Sequence, residues 1–411
     1  MHKDQMRELN EAVRSCRAAG KKKDFNGVLK SAEAALELIQ SDNNGRQGSF
    51  ENQQKRKLQK ASVFGYKGLA LLKKDKFEDA LSCLEESQSL RSQVLLEQKQ
   101  GSSACTTTLT ELQLTLHQRE AKVVTQSLKI CYQQLGKTPP LPSLLKYPRT
   151  THLFDSGGTA TTTDDLVLPD FHSILHVFCS GKEVVIEEKV DGANLGISLC
   201  PFTGQLLVQN RSHYISHGEH AQFHRISEWI AEHRISLTEI LQTGSRILYG
   251  EWMVARHSIP YQRLPGFFVA FDIFDKTSGK FFSRRRFHST MRDTRIPVVP
   301  VITTKKFAAL DSQRHNRERY QTELKAELVR MLETESRFRS DGGTVEGIVV
   351  RVDDDSRTWL DEKFKVVRPD FVRGCGEGKH WATRQIEKQA IDFEFAEEYL
   401  KVSCVCADGT D

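Results

Sequence analysis

Three prolines within four positions, in Gly136-Lys-Thr-Pro-Pro-Leu-Pro-Ser143, divide this 411-residue chain. Proline lacks a backbone N–H and fixes φ, so no helix runs through this stretch. It reads as a linker over residues 136–146. The chain before it has the hydrophobic period of helices. The chain after it mixes strand and helix periods.

In residues 1–135, Met6, Leu9, Val13 and Cys16 recur at intervals of three and four, and so do Phe25, Val28, Leu29, Ala32, Leu36 and Ile39 after a turn at Ala19-Gly20. Residues 43–54 are polar and read as a loop. Helical spacing returns at Leu58, Ala61, Phe64, Leu69 and Leu72, then at Phe77, Ala80, Leu81 and Leu84, and a last helix covers about residues 107–135. The stretch Gly65-Tyr-Lys-Gly-Leu-Ala-Leu-Leu-Lys-Lys-Asp-Lys-Phe-Glu-Asp-Ala-Leu81 is similar to a tetratricopeptide helix pair. Gly68, Ala70 and Ala80 would let the helices approach, and Phe77 would fill the gap between them. A plain bundle of helical hairpins explains the pattern equally well. Either form suits contact with a protein or RNA better than catalysis.

Charge is distributed unevenly. Residues 1–146 carry 24 Lys+Arg and 16 Asp+Glu, a balance of +8; residues 147–411 carry 35 and 38, a balance of −3. A basic first part fits a nucleic-acid or other acidic partner, and fits a solvated lysine-rich helical surface equally. Apolar runs such as Val184-Val-Ile186 and Gly266-Phe-Phe-Val-Ala270 fall far short of the roughly 20 residues that span a bilayer, so no membrane association is expected. The charged start, Met1-His-Lys-Asp-Gln-Met6, has no apolar signal core. Nine cysteines lie scattered with no CxxC pair, which reads as reduced thiols in a cytoplasmic or nuclear protein.

After the linker, β-rich runs are expected at residues 183–189, 195–199, 206–208, 247–249, 267–274, 347–352 and 364–367. Helices are expected at 221–232 and 312–334, and one closing helix over 386–400. Strands and helices without a regular βαβ rhythm predict an α+β domain on antiparallel sheets over residues 147–385, followed by a C-terminal helix and tail over 386–411. Arg284-Arg-Arg286 and Lys305-Lys306 would follow a nucleic-acid backbone, but such runs are usually solvated. His213, His217, His220 and His257 fit no zinc spacing.

Five segments stand in order at strand edges: Glu188-Lys-Val-Asp-Gly192, Tyr249-Gly-Glu-Trp-Met253, Ala270-Phe-Asp-Ile-Phe-Asp275, Val345-Glu-Gly-Ile-Val-Val-Arg351 and Glu362-Lys-Phe-Lys-Val-Val-Arg-Pro-Asp-Phe371. Each alone is weak. Together they resemble motifs I, III, IIIa, IV and V of the covalent nucleotidyltransferases, the superfamily of RNA ligases, DNA ligases and capping enzymes. Lys146-Tyr-Pro-Arg-Thr150, His152-Leu153 and Ala255-Arg-His-Ser-Ile-Pro-Tyr261 extend the likeness to T4 RNA ligase 2-like enzymes, above all to uncharacterised bacterial RNA ligase family proteins. The likeness covers residues 146–385. The 40 residues after Phe371 leave little room for an added OB-fold, which weighs against a capping enzyme or a large DNA ligase.

The resemblance implies an antiparallel nucleotidyltransferase fold and an ATP-dependent ligase that joins 5′-phosphate and 3′-hydroxyl RNA ends in repair or processing. It assigns Lys189 as the nucleophile that forms lysyl-AMP. A nucleophilic amine must lose its proton, and nearby cations or a metal depress a lysine's pKa. Lys363 and Lys365 would lie on one strand face and neutralise the α-phosphate; outside this context two such lysines are usually just solvated. Glu188 would accept from the adenine amino group and Phe271 would stack on the ring, with Phe267 or Phe268 as substitutes. Asp191, Glu251 and Glu346 are implied as ligands of Mg²⁺ (or Mn²⁺), Glu251 alternatively holding the ribose. Gly192, Arg211 and Asp272 fall where the family meets nucleotide or 5′-phosphate; Arg149, Asn194 and Arg368 are weaker assignments. Other outcomes of the same fold are DNA or RNA/DNA nick sealing and 5′-end adenylylation. A scaffold with a decayed site is the alternative from another class.

Overall fold

The computed structural model describes residues 2–41, 50–100, 111–158, 160–163, 165–169, 175–179, 181–216, 220–307, 317–371 and 387–405. The chain divides into two compact units. One holds residues 1–143 with the short segments 200–204 and 277–279, and the other holds the remainder. No helix among the described residues is long and apolar enough to cross a membrane.

The first unit is helical: α1 (His2–Lys21), α2 (Phe25–Ser41), α3 (Phe50–Leu72), α4 (Phe77–Gln100) and α5 (Glu111–Leu135). Helix α1 continues through Gly20, so the turn falls three residues later than expected. Helix α3 starts at Phe50, inside the stretch read as a loop; residues 42–49 and 107–110 lie outside the described residues. The small residues do bring α3 and α4 together. A Cβ on Gly68 would stand 2.6 Å from Leu84 Cγ, and Ala70 and Ala80 are buried. Both helices are longer than a 34-residue repeat accommodates. One carboxylate ties four helices: Glu120 of α5 accepts from Ser62 (2.6 Å) and Tyr66 (3.0 Å) of α3, Arg91 (2.8 Å) of α4 and Arg17 (3.2 Å) of α1.

The second unit runs β1 (Thr151–His152), α6 (Leu175–Cys179), β2 (Glu183–Lys189), β3 (Ala193–Leu199), β4 (Leu206–Gln209), α7 (Ile226–Glu232), α8 (Arg234–Leu241), β5 (Arg246–Trp252) and β6 (Phe268–Asp275). It continues with β7 (Lys280–Phe281), α9 (Arg284–Met291), β8 (Val301–Lys306), α10 (Arg317–Met331), β9 (Gly347–Asp353), β10 (Leu360–Val367) and α11 (Phe393–Val405). Two five-stranded sheets form, in the orders β1-β10-β9-β2-β8 and β4-β3-β5-β6-β7. Every pairing within them is antiparallel except β1 with β10. This is the α+β architecture of antiparallel sheets and flanking helices, with helices before it, that the sequence predicts.

Each sheet buries its outer face under helices. Val184, Ile186, Ile348, Val350 and Val366 pack with Leu324 and Leu328 of α10. Leu195, Ile197, Leu248 and Phe268 pack with Trp229, Leu237, Ile240 and Phe287 of α7, α8 and α9. The unpredicted strand β8 is a sheet edge whose residues are exposed or half-buried, so it lacks an apolar period. The predicted helix over 221–232 splits into a 3₁₀ turn and α7, and the closing helix begins only at Phe393.

Gly347 faces Lys189 across β2 and β9, and a Cβ there would run into the Val366 carbonyl of β10. Gly347→Ala should destabilise this unit by about 1–3 kcal/mol through forced backbone displacement. Chemical denaturation checks this; an unchanged midpoint would contradict the register.

Candidate active site

Strand alternation fixes which side chains meet. Across β2, β9 and β10 three rows form: Lys189–Gly347–Val367, Glu187–Val349–Lys365 and Val185–Arg351–Lys363. Side chains of a strand alternate between faces, so Glu187, Lys189, Arg351, Lys363 and Lys365 share the face opposite the apolar core. On the second sheet, Asn194 faces Glu251, and Tyr249 faces Asp272. A register shift between β5 and β6 leaves Phe271 as an extra residue, and this bulge re-aims it. Between these faces lies a cavity of about 320 Å³, within the range of small-molecule sites.

Lys189, Lys363, Lys365, Glu188, Arg211, Glu251 and Phe271 line the cavity, as do Arg149 and Asn194. Asp191, Gly192, Asp272, Glu346 and Arg368 are not among the residues lining it. Phe267 and Phe268 belong to the outer core rather than the cavity wall. His217, the predicted helical residues 312–316 and residue 386 of the predicted closing helix lie outside the described residues.

Several expectations need correction. The Asp191 carboxylate accepts from the backbone N–H groups of Ser258 (2.7 Å) and Ile259 (3.0 Å), so it fixes a loop. Gly192 serves close packing: a Cβ would lie 2.8 Å from the Trp252 carbonyl oxygen. Among the described residues no group of three or more His, Cys, Asp and Glu side chains is arranged to hold a metal. Glu188 lies on the core-facing side of β2, where Ser336 Oγ and the Arg337 N–H donate to its carboxylate. Burial pushes its pKa up to about 7 despite those donors. Arg368 donates to Thr344 and pairs with Asp370. Arg284 is buried rather than solvated, 2.7 Å from Glu187.

The lysines divide their roles unexpectedly. Lys189 Nζ stands 2.6 Å from Glu346 Oε2. Burial lowers its pKa, but Glu346, Glu251 and Asp191 outweigh that and hold it above the ordinary lysine value. The expected depression falls on Lys363 instead. Burial takes it down to about 8, with Arg351 adding to the fall and Asp272 opposing it. Lys365 pairs with Asp165 at 3.0 Å. Asp165 is held below the usual carboxylate range by Lys365 and Thr162, against its burial.

Tyr147, Glu187, Arg284 and Arg351 were not expected here. Tyr147 OH donates to Asp272 Oδ2 at 2.5 Å and accepts from Lys363. Its ring meets Tyr249, Phe271 and Phe281. Arg351 donates to Asp272, and Glu187 lies beside both Arg284 and Arg351. One signal was available: Glu187 is two residues from Lys189 and on its face of the strand, directly after the apolar run Val184-Val-Ile186.

Residues 182–367 match the model of the RNA ligase family. No curated protein matches the chain. Among solved structures, an RNA ligase of Naegleria gruberi with pyrophosphate is 18% identical, covering 58% of this chain and 64% of that one, at a TM-score of 0.35. A mutant of that ligase with AMP and manganese is 15% identical over the same shares, at a TM-score of 0.36. The chain thus spans 64% of the length of the solved structures it matches.

Glu251 yields a pH-dependent stability. Burial, and secondarily Glu346, push its carboxyl up to about 8 against the pull of Lys189. A carboxyl raised in the folded state contributes stability that is complete below its unfolded pKa and is lost as pH rises through the folded value. Glu251→Gln removes that loss. The variant should melt higher than the parent at pH 8.5, by an amount on the order of 1 kcal/mol, and the gap should shrink at pH 5.5. Thermal melts at both pH values check it.

Proposed function

We propose that this chain is an ATP-dependent RNA ligase that joins 5′-phosphate and 3′-hydroxyl ends through a lysyl-AMP intermediate on Lys189. The observation that carries this reading is the meeting of the five ordered segments around one cavity, with the Lys189 amine 2.6 Å from a carboxylate able to take its proton. In the first step Lys189 Nζ attacks the α-phosphorus of ATP. A P–N bond forms, the bond to the β-phosphate oxygen breaks, and pyrophosphate leaves with its electron pair. A 5′-phosphate oxygen of an RNA end then attacks the AMP phosphorus, a P–O–P linkage forms, the P–N bond breaks, and the Lys189 amine leaves and takes up a proton. A 3′-hydroxyl attacks that activated phosphate, AMP leaves, and the strand is sealed.

The chain's own groups supply the electrostatics. Glu346 orients Lys189 and is placed to accept the proton that attack releases. Lys363 and Lys365 neutralise phosphate charge from the facing rows. Phe271 stacks on the adenine, and Arg211 offers its fork of donors to the 5′-phosphate. ATP enters with Mg²⁺ or Mn²⁺, whose charge would offset that of its phosphates. The basic helical unit adds affinity for the RNA backbone.

Incubating the protein with α-labelled ATP and Mg²⁺ should give a radioactive band that survives denaturation. Lys189→Ala should reduce it to background, and Lys365→Ala should lower its rate by about 10–100-fold. An unlabelled parent under every divalent ion tried would sink the proposal. Nicked RNA, RNA/DNA and DNA duplexes then separate RNA sealing from the alternatives; 5′ adenylylation without joining would mark a transferase.

A further inference from the structure

Lys363 is held by a charge network that the proposed chemistry does not itself require. Its ammonium lies 3.0 Å from Asp272 Oδ2, donates to Tyr147 OH, and sits over the rings of Tyr147 (4.3 Å) and Phe281 (4.9 Å). The charged or titratable groups around it come from every packed element. They are Glu187 of β2, Tyr249 of β5, Asp272 of β6, Arg284 and His288 of α9, Arg351 of β9, and Tyr147 from the segment before β1.

Two carboxylates here meet three cations. Among the described residues Asp272 is the only carboxylate within 4 Å of the Lys363 ammonium, and it is fully buried. Arg351 and Arg284 are also buried and repel Lys363 at close range. Without the anion, Lys363 would be an ammonium among two guanidinium groups in a place poor in water, where a lysine sheds its proton.

We propose that Asp272 is a positioning residue that fixes Lys363 in place and in its charged form at the cavity floor, so that the lysine can meet a nucleotide phosphate. This replaces the expectation that Asp272 touches nucleotide, and it rests on the proposed nucleotidyl transfer only for its kinetic consequence. Tyr147 completes the device by bridging the same two groups from a third element. A neutral amine brings no charge to a phosphate, so losing Asp272 costs rate wherever Lys363 then loses its proton.

Two arms test this. In the first, acetic anhydride labelling of Lys363 is followed by mass spectrometry between pH 6 and 10 in the intact, nucleotide-free protein. The parent should show half-maximal reactivity near pH 8, and Asp272→Asn should move that midpoint down by about one unit or more. In the second, the rate of lysyl-AMP formation is measured against pH. Asp272→Asn should lose about tenfold or more at pH 8.5 and recover most of it at pH 6, while Asp272→Glu, which keeps the charge, should follow the parental profile. A variant profile parallel to the parent's at every pH overturns the proposal. So does a parental Lys363 that titrates in the ordinary lysine range, a result that stands even if Asp272→Asn does not fold. A parent that forms no lysyl-AMP sinks the proposed function alone, because the labelling arm still decides the role of Asp272.

Discussion

The second unit depends on how a handful of buried charges is shared between its two sheets. Glu187, Arg351 and Lys363 belong to one sheet and Asp272 to the other, while Arg284 enters from α9. Removing one partner of a buried pair leaves an uncompensated charge, which costs roughly 3–5 kcal/mol. Sliding one sheet over the other would break several such pairs at once. The network therefore specifies the spacing of the two faces, and with it the width of the cavity. The cations are shared unequally. Asp272, met by Arg351 and Lys363, is held well below the usual carboxylate range despite burial, whereas burial pushes Glu187 up in spite of both arginines.

That inequality gives the cavity two electrostatic ends. Along β2 the row of Lys189 and the row of Lys363 are four residues apart, about 13 Å at the rise of a strand. At one end the Lys189 ammonium lies among Glu346, Glu251 and Asp191, with Arg211 also acting on Glu251. At the other, cations outnumber carboxylates. The row between them carries Lys365, paired to Asp165. A ligand with a clustered negative charge and a neutral aromatic body suits such a gradient. Under the proposed chemistry the Lys189 amine would be kept apart from the cations that draw the phosphate in, with the Glu346 carboxylate beside it.

The main strands were legible because they are short runs rich in β-branched and aromatic residues, and β2 agrees with expectation at both ends. The edge strand β8 was not, since an exposed edge needs no apolar face. For the site, ordered motifs identified the cavity-lining lysines, Glu251 and Phe271, but spacing does not show which way a carboxylate turns. Asp191 goes to backbone N–H groups, Glu188 to Ser336 and Arg337, and Asp272 to a buried ion network. Each is settled by a partner 67 to 149 residues away in the chain, or by which face of a strand a residue occupies. The protonation of the lysines was not legible for the same reason: it depends on neighbours in three dimensions, which for Lys189 are Glu346, Glu251 and Asp191.

The helical unit carries a charge network of a similar kind. Glu120 also gathers two guanidinium groups and leaves one positive charge in excess. There the surplus is solvated: the Arg17 side chain keeps 34% of its surface, against 8% for Arg91. Water screens a cation exposed to that degree, so the helical network needs no ligand to balance it. In the second unit Lys363 keeps only 9% and Arg351 only 2%, and the Lys363 ammonium borders the cavity. Its excess charge has no comparable outlet to solvent. Two networks of similar composition thus differ in how far their spare charge is exposed to solvent.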